Sequence, residues 1–225
     1  MVRHLKKLFF GKPEHNTTIA KSVVDGQLEN LRKIWENENH NDTGLERILR
    51  LFLLSIQFLF PGIYIREIFS KKGLTYKNLA IESYVLFKFF FPLIILFTEK
   101  SHSPVLLFLT VYLLTETVTY LGSLVFTSDI QNQTRSANRT ILLLFVNYLE
   151  ISLQFGVLFA GFDALTPNAT TPIDYIYFSF VTSASVGFGD IHPTTQLGKM
   201  MVCCQSFLFL IFVVLFFNYF SNKRR

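Results

Sequence analysis

Long apolar runs alternate with short polar segments along most of the chain. An α-helix rising about 1.5 Å per residue needs roughly 20 apolar residues to cross a bilayer core about 30 Å thick. The runs that reach this length are 79–98, 104–126, 140–162 and 197–220. A fifth run, 48–65, is interrupted by Arg50 and by the Pro61-Gly62 pair. The pattern predicts an all-α membrane protein with at least four crossings.

The first 46 residues are more polar and contain a helical repeat. Val24, Leu28, Leu31 and Trp35 recur with spacings of four, three and four, which puts them on one face of a helix. We expect residues 1–46 to form a cytoplasmic segment with amphipathic helices. The apolar stripe would either pack on a neighbouring membrane-proximal surface or make a short coiled-coil contact between subunits.

The net charge of +5 indicates lipid contact rather than nucleic-acid binding. Lys and Arg collect beside the apolar runs, where basic side chains settle at headgroups. The predicted partners are therefore the bilayer and anionic lipids at the basic loops, with no nucleic acid. The expected location is a plasma or other cell membrane, crossed several times.

The distribution of Lys and Arg among the loops predicts the topology. Residues 1–47 hold eight of them and residues 66–78 hold four, whereas none lies between Phe162 and Leu197. Basic loops are biased to the cytoplasmic side, so both termini are expected inside and the 163–196 segment outside. On this count the 48–65 run enters and returns, or lies flat, without crossing. Five crossings with an external amino terminus is the alternative.

These boundaries divide the chain into four parts. After 1–46 come a membrane-interfacial or re-entrant segment with a basic loop at 47–78, a transmembrane helical hairpin at 79–130, and a last domain at 131–225.

The segment between the last two runs has more internal order than a simple loop. "TPNATTP" predicts a turn, "IDYIYFSFVTSA" a short helix that descends into protein, and "SVGFGDIHP" a return toward water. Irregular backbone at membrane depth is tolerated only where protein buries it or where it lines a wet pathway. The segment is therefore expected to be re-entrant and to face a pore or a protein shield.

The string "SVGFGD" alternates glycine with apolar residues. Gly187 and Gly189 permit backbone dihedrals that are closed to other residues, so that successive carbonyls can turn to one side. Rows of carbonyl oxygens can replace the hydration shell of a monovalent cation. Asp190 then marks the external mouth, where it either collects cations or braces the loop.

The longer stretch "FVTSASVGFGDIHPTTQLGKM" resembles the selectivity-filter segment of the tetrameric potassium-channel pore-domain family. The usual pattern of that family is Thr-Val-Gly-Tyr-Gly-Asp or its Phe variant, followed closely by Pro and Thr. The resemblance covers roughly 140–220, and nothing comparable covers 1–130. It implies an outer helix at 140–162, a pore helix with filter at 173–190 and an inner helix at 197–220. It further implies a homotetramer, because one chain supplies one filter motif.

By this resemblance, K⁺ is the transported ion, no cofactor is needed and the protein is not an enzyme. The carbonyls of Ser185, Val186, Gly187 and Phe188 would coordinate K⁺, with the Ser185 hydroxyl at the innermost position. Ser185 replaces the usual Thr and Phe188 the usual Tyr. A weakly selective cation channel, or a non-conducting regulatory subunit with a pore-like fold, are the alternatives.

The resemblance also assigns supporting residues. Tyr177 is expected to contact Asp190, Gly189 to complete the filter turn, and Thr182 to brace the filter from behind. Simple packing on the pore helix is the alternative for both Tyr177 and Thr182.

The inner helix has no glycine or proline after Gly198, so opening must bend or shift a continuous helix. One of its faces is a candidate for the inner gate or cavity, with lipid contact as the alternative for each member. The residues are Leu210, Val213, Phe217 and Phe220 or Ser221.

Three ionisable residues lie deep inside the apolar runs, away from their ends, where a charge costs about 2.5–3.5 kcal/mol on insertion scales. Lys88 and Glu116 fall at similar depth in an antiparallel hairpin, so we expect them to pair or to face a wet crevice. Glu150 lies halfway along the outer helix and has no partner evident from the sequence.

Overall fold

A computed structural model describes residues 22–36, 44–127 and 137–222, without the side chains of Leu74, Ala137, Asn138 and residues 218–222. In these ranges the chain is helical, and its β-structure is one isolated bridge between Leu165 and Pro193. The predictions for 1–21, for the loop charges at 128–136 and for the basic tail lie outside the described residues.

The helices are α1 (Val23–Glu36), α2 (Leu45–Ile56), α3 (Pro61–Ser70), α4 (Leu74–Phe97), α5 (Pro104–Phe126), α6 (Ala137–Gly161), α7 (Pro172–Ser183) and α8 (Gln196–Asn222). A 3₁₀ turn at Gln57–Leu59 follows α2.

In the described ranges four helices are long and apolar enough to cross a membrane, and they cover the four predicted runs. The spans are Thr75–Phe97, Pro104–Phe126, Arg139–Gly161 and Gln196–Phe217. The first span begins earlier than the predicted residue 79, because the polar residues between Leu74 and residue 79 are also helical. The helix starts directly after Gly73. Gly73 has a φ of 117°, which a helix cannot include. The chain is thus an all-α membrane protein.

The interrupted run 48–65 forms a bent pair of helices. The segments Leu45–Leu59 and Pro61–Ser70 meet at 71°. Proline at the first position of α3 holds Phe60 in an extended conformation (φ −107°, ψ 147°), since proline disfavours helical dihedrals in the residue before it. Such a pair is either a broken span or a re-entrant segment, and the expected return without crossing stays a prediction.

The chain divides into two compact units, and the first comprises residues 1–84 and 122–132. Within it, α1 packs on α2 and α3. Glu67 of α3 accepts hydrogen bonds from the backbone N–H groups of Val23 (2.6 Å) and Val24 (3.3 Å), which caps the start of α1.

The buried face of α1 differs from the predicted stripe. Ile34 and Gln27 are buried, while Leu28 and Trp35 are 52% and 69% exposed. The described residues leave these two side chains largely uncovered, so the contact expected of the stripe, with a neighbouring surface or with another subunit, stays a prediction. The Gln27 amide donates to the Leu54 carbonyl (3.4 Å) and to the Gln57 side chain (3.0 Å). These bonds turn the helix so that polar Gln27 faces inward, which hydrophobic spacing cannot indicate.

The second unit comprises residues 85–121 and 133–225. Here α6 packs against α7 and α8, and α7 also packs against α8. Ile95 and Leu96 of α4 form a core with Val157 and Ala160 of α6, against which Tyr175 and Ile176 of α7 pack. The short helix α7 is therefore held inside the unit, beside the central part of α6.

Candidate functional site

Two local sequence signals define the start of the short helix α7. Thr171 and Asp174 form a capping box, in which the Asp174 N–H donates to the Thr171 hydroxyl and the Asp174 carboxylate accepts the Thr171 N–H at 2.8 Å. Pro172 occupies the first turn, where its missing N–H costs nothing. The bond from the Thr171 backbone lowers the pKa of Asp174. The start of the helix is thus fixed by residues adjacent in sequence.

The chain leaves α7 in a conformation that alternates. The Ser185 N–H bonds the Thr182 carbonyl and the Val186 N–H bonds the Val181 carbonyl, both at 3.0 Å. After this turn φ is positive at Ser185 (54°), Gly187 (61°) and Gly189 (83°). Gly187 and Gly189 thus adopt the left-handed backbone that the sequence led us to expect. We call Ser185–Asp190 the filter segment.

Ser185 has a left-handed φ without being glycine. Such a φ is a genuine outlier for a β-branched residue and more accessible to an unbranched one. Serine therefore suits this backbone better than the threonine usual in the resembled family. The replacement that sequence comparison marks as a departure is consistent with the local geometry.

The outer end of the filter segment is tied to α7. The Tyr177 hydroxyl donates to the Asp190 carboxylate at 2.8 Å, which is the contact expected from the sequence. The Phe188 ring stacks on Tyr177 with 6.5 Å between centroids and 5° between planes. The hydrogen bond to Asp190 raises the pKa of Tyr177, so this hydroxyl keeps its proton at neutral pH.

Beyond Asp190 the chain returns alongside the end of α6. Leu165 and Pro193 form the antiparallel bridge, flanked by bonds from Thr166 N–H to the His192 carbonyl and from Thr194 N–H to the Ala164 carbonyl, both 3.0 Å. A Cβ atom at Gly198 would lie 2.8 Å from the Ala164 carbonyl oxygen, so only glycine permits this approach. The first turn of α8 is thereby fixed against the end of α6.

The inner end of α7 is held by what we call the hydroxyl cluster, namely Ser152, Ser179, Ser183 and Gln205. The hydroxyls of Ser152 and Ser183 are 2.8 Å apart, and the Ser179 hydroxyl donates to the Ser152 carbonyl. The Gln205 amide donates to the Ser179 carbonyl, the Ser179 hydroxyl and the Ser183 hydroxyl. All four residues are buried.

Thr182 contributes its backbone to this turn, and the bracing role expected of its side chain stays a prediction. Its backbone carbonyl accepts the Ser185 N–H, while the side-chain hydrogen bonds behind the filter segment come from Ser179 and Ser183. The hydroxyl cluster was not found from the sequence. Its only signal there is the occurrence of Ser and Gln in apolar helices at positions that face one another once the helices pack.

The candidate gate residues fall on the least packed side of α8. Leu210 and Phe217 are exposed within the chain, Val213 is half-buried, and the side chains of Phe220 and Ser221 lie outside the described residues. Phe212 and Leu215, by contrast, are buried in the unit. This face is available to line an inner cavity or to meet lipid.

A second buried group, which we call the charge cluster, comprises Lys88, Glu116, Thr117, Glu150 and Gln154. The Lys88 ammonium is 3.8 Å from Glu116 and 3.4 Å from Glu150. It also donates to the Thr117 hydroxyl at 2.6 Å. Lys88 and Glu116 therefore pair, as expected, and Glu150 is a partner that the sequence did not indicate, because α6 lies far along the chain from the hairpin.

Part of the chain is similar to known proteins. Residues 142–224 match a family described as ion channel. A protein of Oryza sativa subsp. japonica named two pore potassium channel a is 32% identical over 97 residues, which cover 42% of this chain and 27% of that relative. The chain thus spans little more than a quarter of the relative's length. No solved structure matches.

The family match and the geometry fall on the same part of the chain. The matched region contains α7, the filter segment, α8 and nearly all of α6. The resemblance recognised in the filter motif is thereby confirmed at the level of the family.

Proposed function

We propose that the protein is a potassium-selective channel that conducts K⁺ passively, because residues 142–224 match an ion-channel family and a relative of the chain is named a potassium channel. Each of four identical chains contributes one filter segment around a central axis. K⁺ sheds water onto the backbone carbonyls of Ser185, Val186, Gly187 and Phe188 and leaves by repulsion between ions at adjacent sites. Transport of this kind needs no catalytic step and no cofactor.

The observation that carries the proposal is the alternating backbone of the filter segment. A left-handed φ at every second residue reverses the zigzag by which an ordinary strand points successive carbonyls to opposite sides. The segment starts at the carboxyl end of α7, where the helix dipole favours a cation. The bonds at its two ends, to Tyr177 and to the turn after α7, hold this backbone in place.

Exposed apolar side chains in the filter segment support assembly. Phe188 is 70% exposed in the single chain, and Val186 is exposed as well. Both would be covered if neighbouring copies met around an axis, as one filter motif per chain requires. The bilayer, with anionic lipids at the basic loops, completes the list of proposed partners, in a plasma or other cell membrane.

The test is K⁺ flux from liposomes that contain only the purified full-length protein. Wild type should discharge a K⁺ gradient, and Gly187→Asp should abolish the flux, because any side chain at this left-handed φ of 61° strains the backbone that presents the carbonyls. A variant that still elutes as the wild-type assembly excludes misfolding as the cause. Correctly assembled wild-type protein without flux would favour the non-conducting regulatory subunit.

A weakly selective cation channel is the second candidate, and Ser185 is the observation that favours it. Without the threonine methyl, its rotamer is less restricted, so the innermost site is less rigid. Reversal potentials in mixed Na⁺ and K⁺ distinguish the two functions. A reversal potential near the K⁺ equilibrium potential supports the potassium-selective channel. A reversal potential near zero supports the weakly selective cation channel.

A further inference from the structure

The charge cluster contains two carboxylates and one ammonium. Glu150 and Gln154 have no exposed surface, and Lys88 and Glu116 are buried. The Lys88 ammonium is shared between the two carboxylates, at 3.8 Å from Glu116 and 3.4 Å from Glu150. Buried charges are normally paired, and a group that lacks a partner takes up or releases a proton instead.

The hydrogen bonds at Glu150 are arranged unequally over its two oxygens. Oε1 accepts from the Thr117 hydroxyl at 2.8 Å and from the Gln154 amide at 3.0 Å, and it is also the oxygen nearest Lys88. Oε2 is buried and has no hydrogen-bond partner. This is the pattern of a carboxylic acid, in which one oxygen is a carbonyl acceptor and the other carries a hydrogen.

Acceptors for that hydrogen lie on the same side of α6. The buried side-chain oxygens of Asn147 and Gln154 also have no hydrogen-bond partner. These residues are three before and four after Glu150, so all three occupy one helix face. A proton on Oε2 would convert an unpartnered acceptor into a donor for a neighbouring unpartnered acceptor, and would remove a negative charge from a fully buried position.

The other titratable groups around Glu150 do not supply this proton. Lys88 comes from α4 and Glu116 from α5, where the phenols of Tyr112 and Tyr120 lie one turn to either side of Glu116. On the opposite side of α6, α7 and α8 present the hydroxyl cluster and the rings of Phe209 and Phe212 near Tyr148. Lys88 is thus the cation that faces both carboxylates.

We propose that the charge cluster is a proton-binding site, in which Glu150 holds one exchangeable proton at neutral pH on Oε2. The site lies between α4, α5 and α6 and is separate from the ion path through the filter segment. It does not depend on the proposed K⁺ conduction. As a consequence, the strength of the contact that links α4 and α5 to α6 depends on pH.

Infrared difference spectroscopy of the full-length protein tests this, by the C=O stretch of protonated carboxyl groups and its shift in D₂O. Wild type should show one such band at pH 7 that disappears at alkaline pH. Glu150→Gln should remove it, because the carboxyl group that carries the proton is gone. Lys88→Met should double it, and the double variant Lys88→Met with Glu150→Gln should return it to the wild-type intensity.

Thr117→Val assigns the proton to Glu150 rather than to Glu116. Removal of the hydroxyl that donates to Oε1 should raise the frequency of the band, whereas Thr115→Val, whose exposed hydroxyl bonds the Val111 carbonyl, should leave it unchanged. A wild-type spectrum without the band, an unaltered band in Glu150→Gln, or no shift in Thr117→Val would overturn the proposal. The readout needs no ion conduction, so it fails independently of the channel function.

Discussion

The two buried polar clusters that meet α6 differ in the groups that compose them. Ser152 lies about 200° around the helix from both Glu150 and Gln154, so the hydroxyl cluster and the charge cluster occupy opposite sides of α6. The hydroxyl cluster is neutral and holds α7, while the charge cluster is ionic and joins α6 to α4 and α5. Neutral groups therefore lie behind the filter segment, and the charges lie away from it.

This arrangement separates two requirements. Hydroxyl and amide groups fix the filter segment without adding a field that competes with the ions it is proposed to bind. Ion pairs attract over longer distances, yet they need neutralisation in a low-dielectric setting. We expect substitutions in the charge cluster to alter mainly the stability of the protein. Substitutions in the hydroxyl cluster should also alter permeation.

Lys88→Met should have the largest effect on stability. Removal of one partner from a buried ion pair costs roughly 3–5 kcal/mol, and we expect about 3 kcal/mol here, because Glu150 is already protonated in the proposed site and one further proton can neutralise Glu116. Denaturant unfolding in detergent measures it. Lys100→Met, at an exposed position in the turn after α4, is the matched control and should change the free energy of unfolding by less than about 0.5 kcal/mol. Equal losses in both variants would contradict the prediction.

Gln205→Leu should cost about 1–3 kcal/mol, since it removes the donor of three hydrogen bonds to buried groups. It should also shift the reversal potential in mixed Na⁺ and K⁺. Gln154→Leu is the matched variant in the charge cluster, and its reversal potential should equal that of wild type. If both variants shift the reversal potential equally, the two sides of α6 do not differ as described.

Tyr177→Phe should destabilise the filter segment alone, because the lost bond joins α7 to Asp190. We expect a faster decay of K⁺ current with little change in unfolding. Tyr175→Phe, which loses a bond to the Ala169 carbonyl away from the filter segment, is the control. The raised pKa of Tyr177 sets the pH range: the bond contributes fully below the ordinary tyrosine value and is lost as pH rises through the higher folded value.

Asp174→Asn should have the smallest effect, about 0.5 kcal/mol, because the capping box is partly exposed and asparagine retains one acceptor. Since the pKa of Asp174 is lowered, its contribution is present above the ordinary aspartate value and is lost as pH falls through the folded value. Wild type and variant should therefore converge in thermal stability at low pH. A difference that persists there would contradict a role for the charged carboxylate.

The sequence predicted the elements that depend on local signals. Span lengths, the break at Pro61, the left-handed Gly187 and Gly189 and the Tyr177 to Asp190 contact all follow from spacing or from a recognised motif. It did not predict contacts between distant helices. Neither the Glu150 partner nor the hydroxyl cluster can be inferred from single residues, because each depends on which helix faces meet after packing.

Burial on α1 also shows what spacing cannot indicate. Leu28 and Trp35 share a helix face with Val24 and Leu31, yet within the chain the buried residues include Gln27, whose amide makes two hydrogen bonds. A buried amide with two partners can outweigh a modest apolar preference, and hydrophobic periodicity carries no information about it.

The close approach at Gly198 fixes the start of α8 beside Ala164, so this end is a pivot, or fulcrum, for the rest of the helix. From Gly198 to Asn222 the helix is roughly 36 Å long at about 1.5 Å per residue, and no glycine or proline interrupts it. A tilt of about 10° around the fulcrum would carry the far end through roughly 6 Å while the filter end hardly moved. In the proposed tetramer, a tilt too small to disturb the carbonyls of the filter segment would therefore be enough to widen or close the opposite end of the pore.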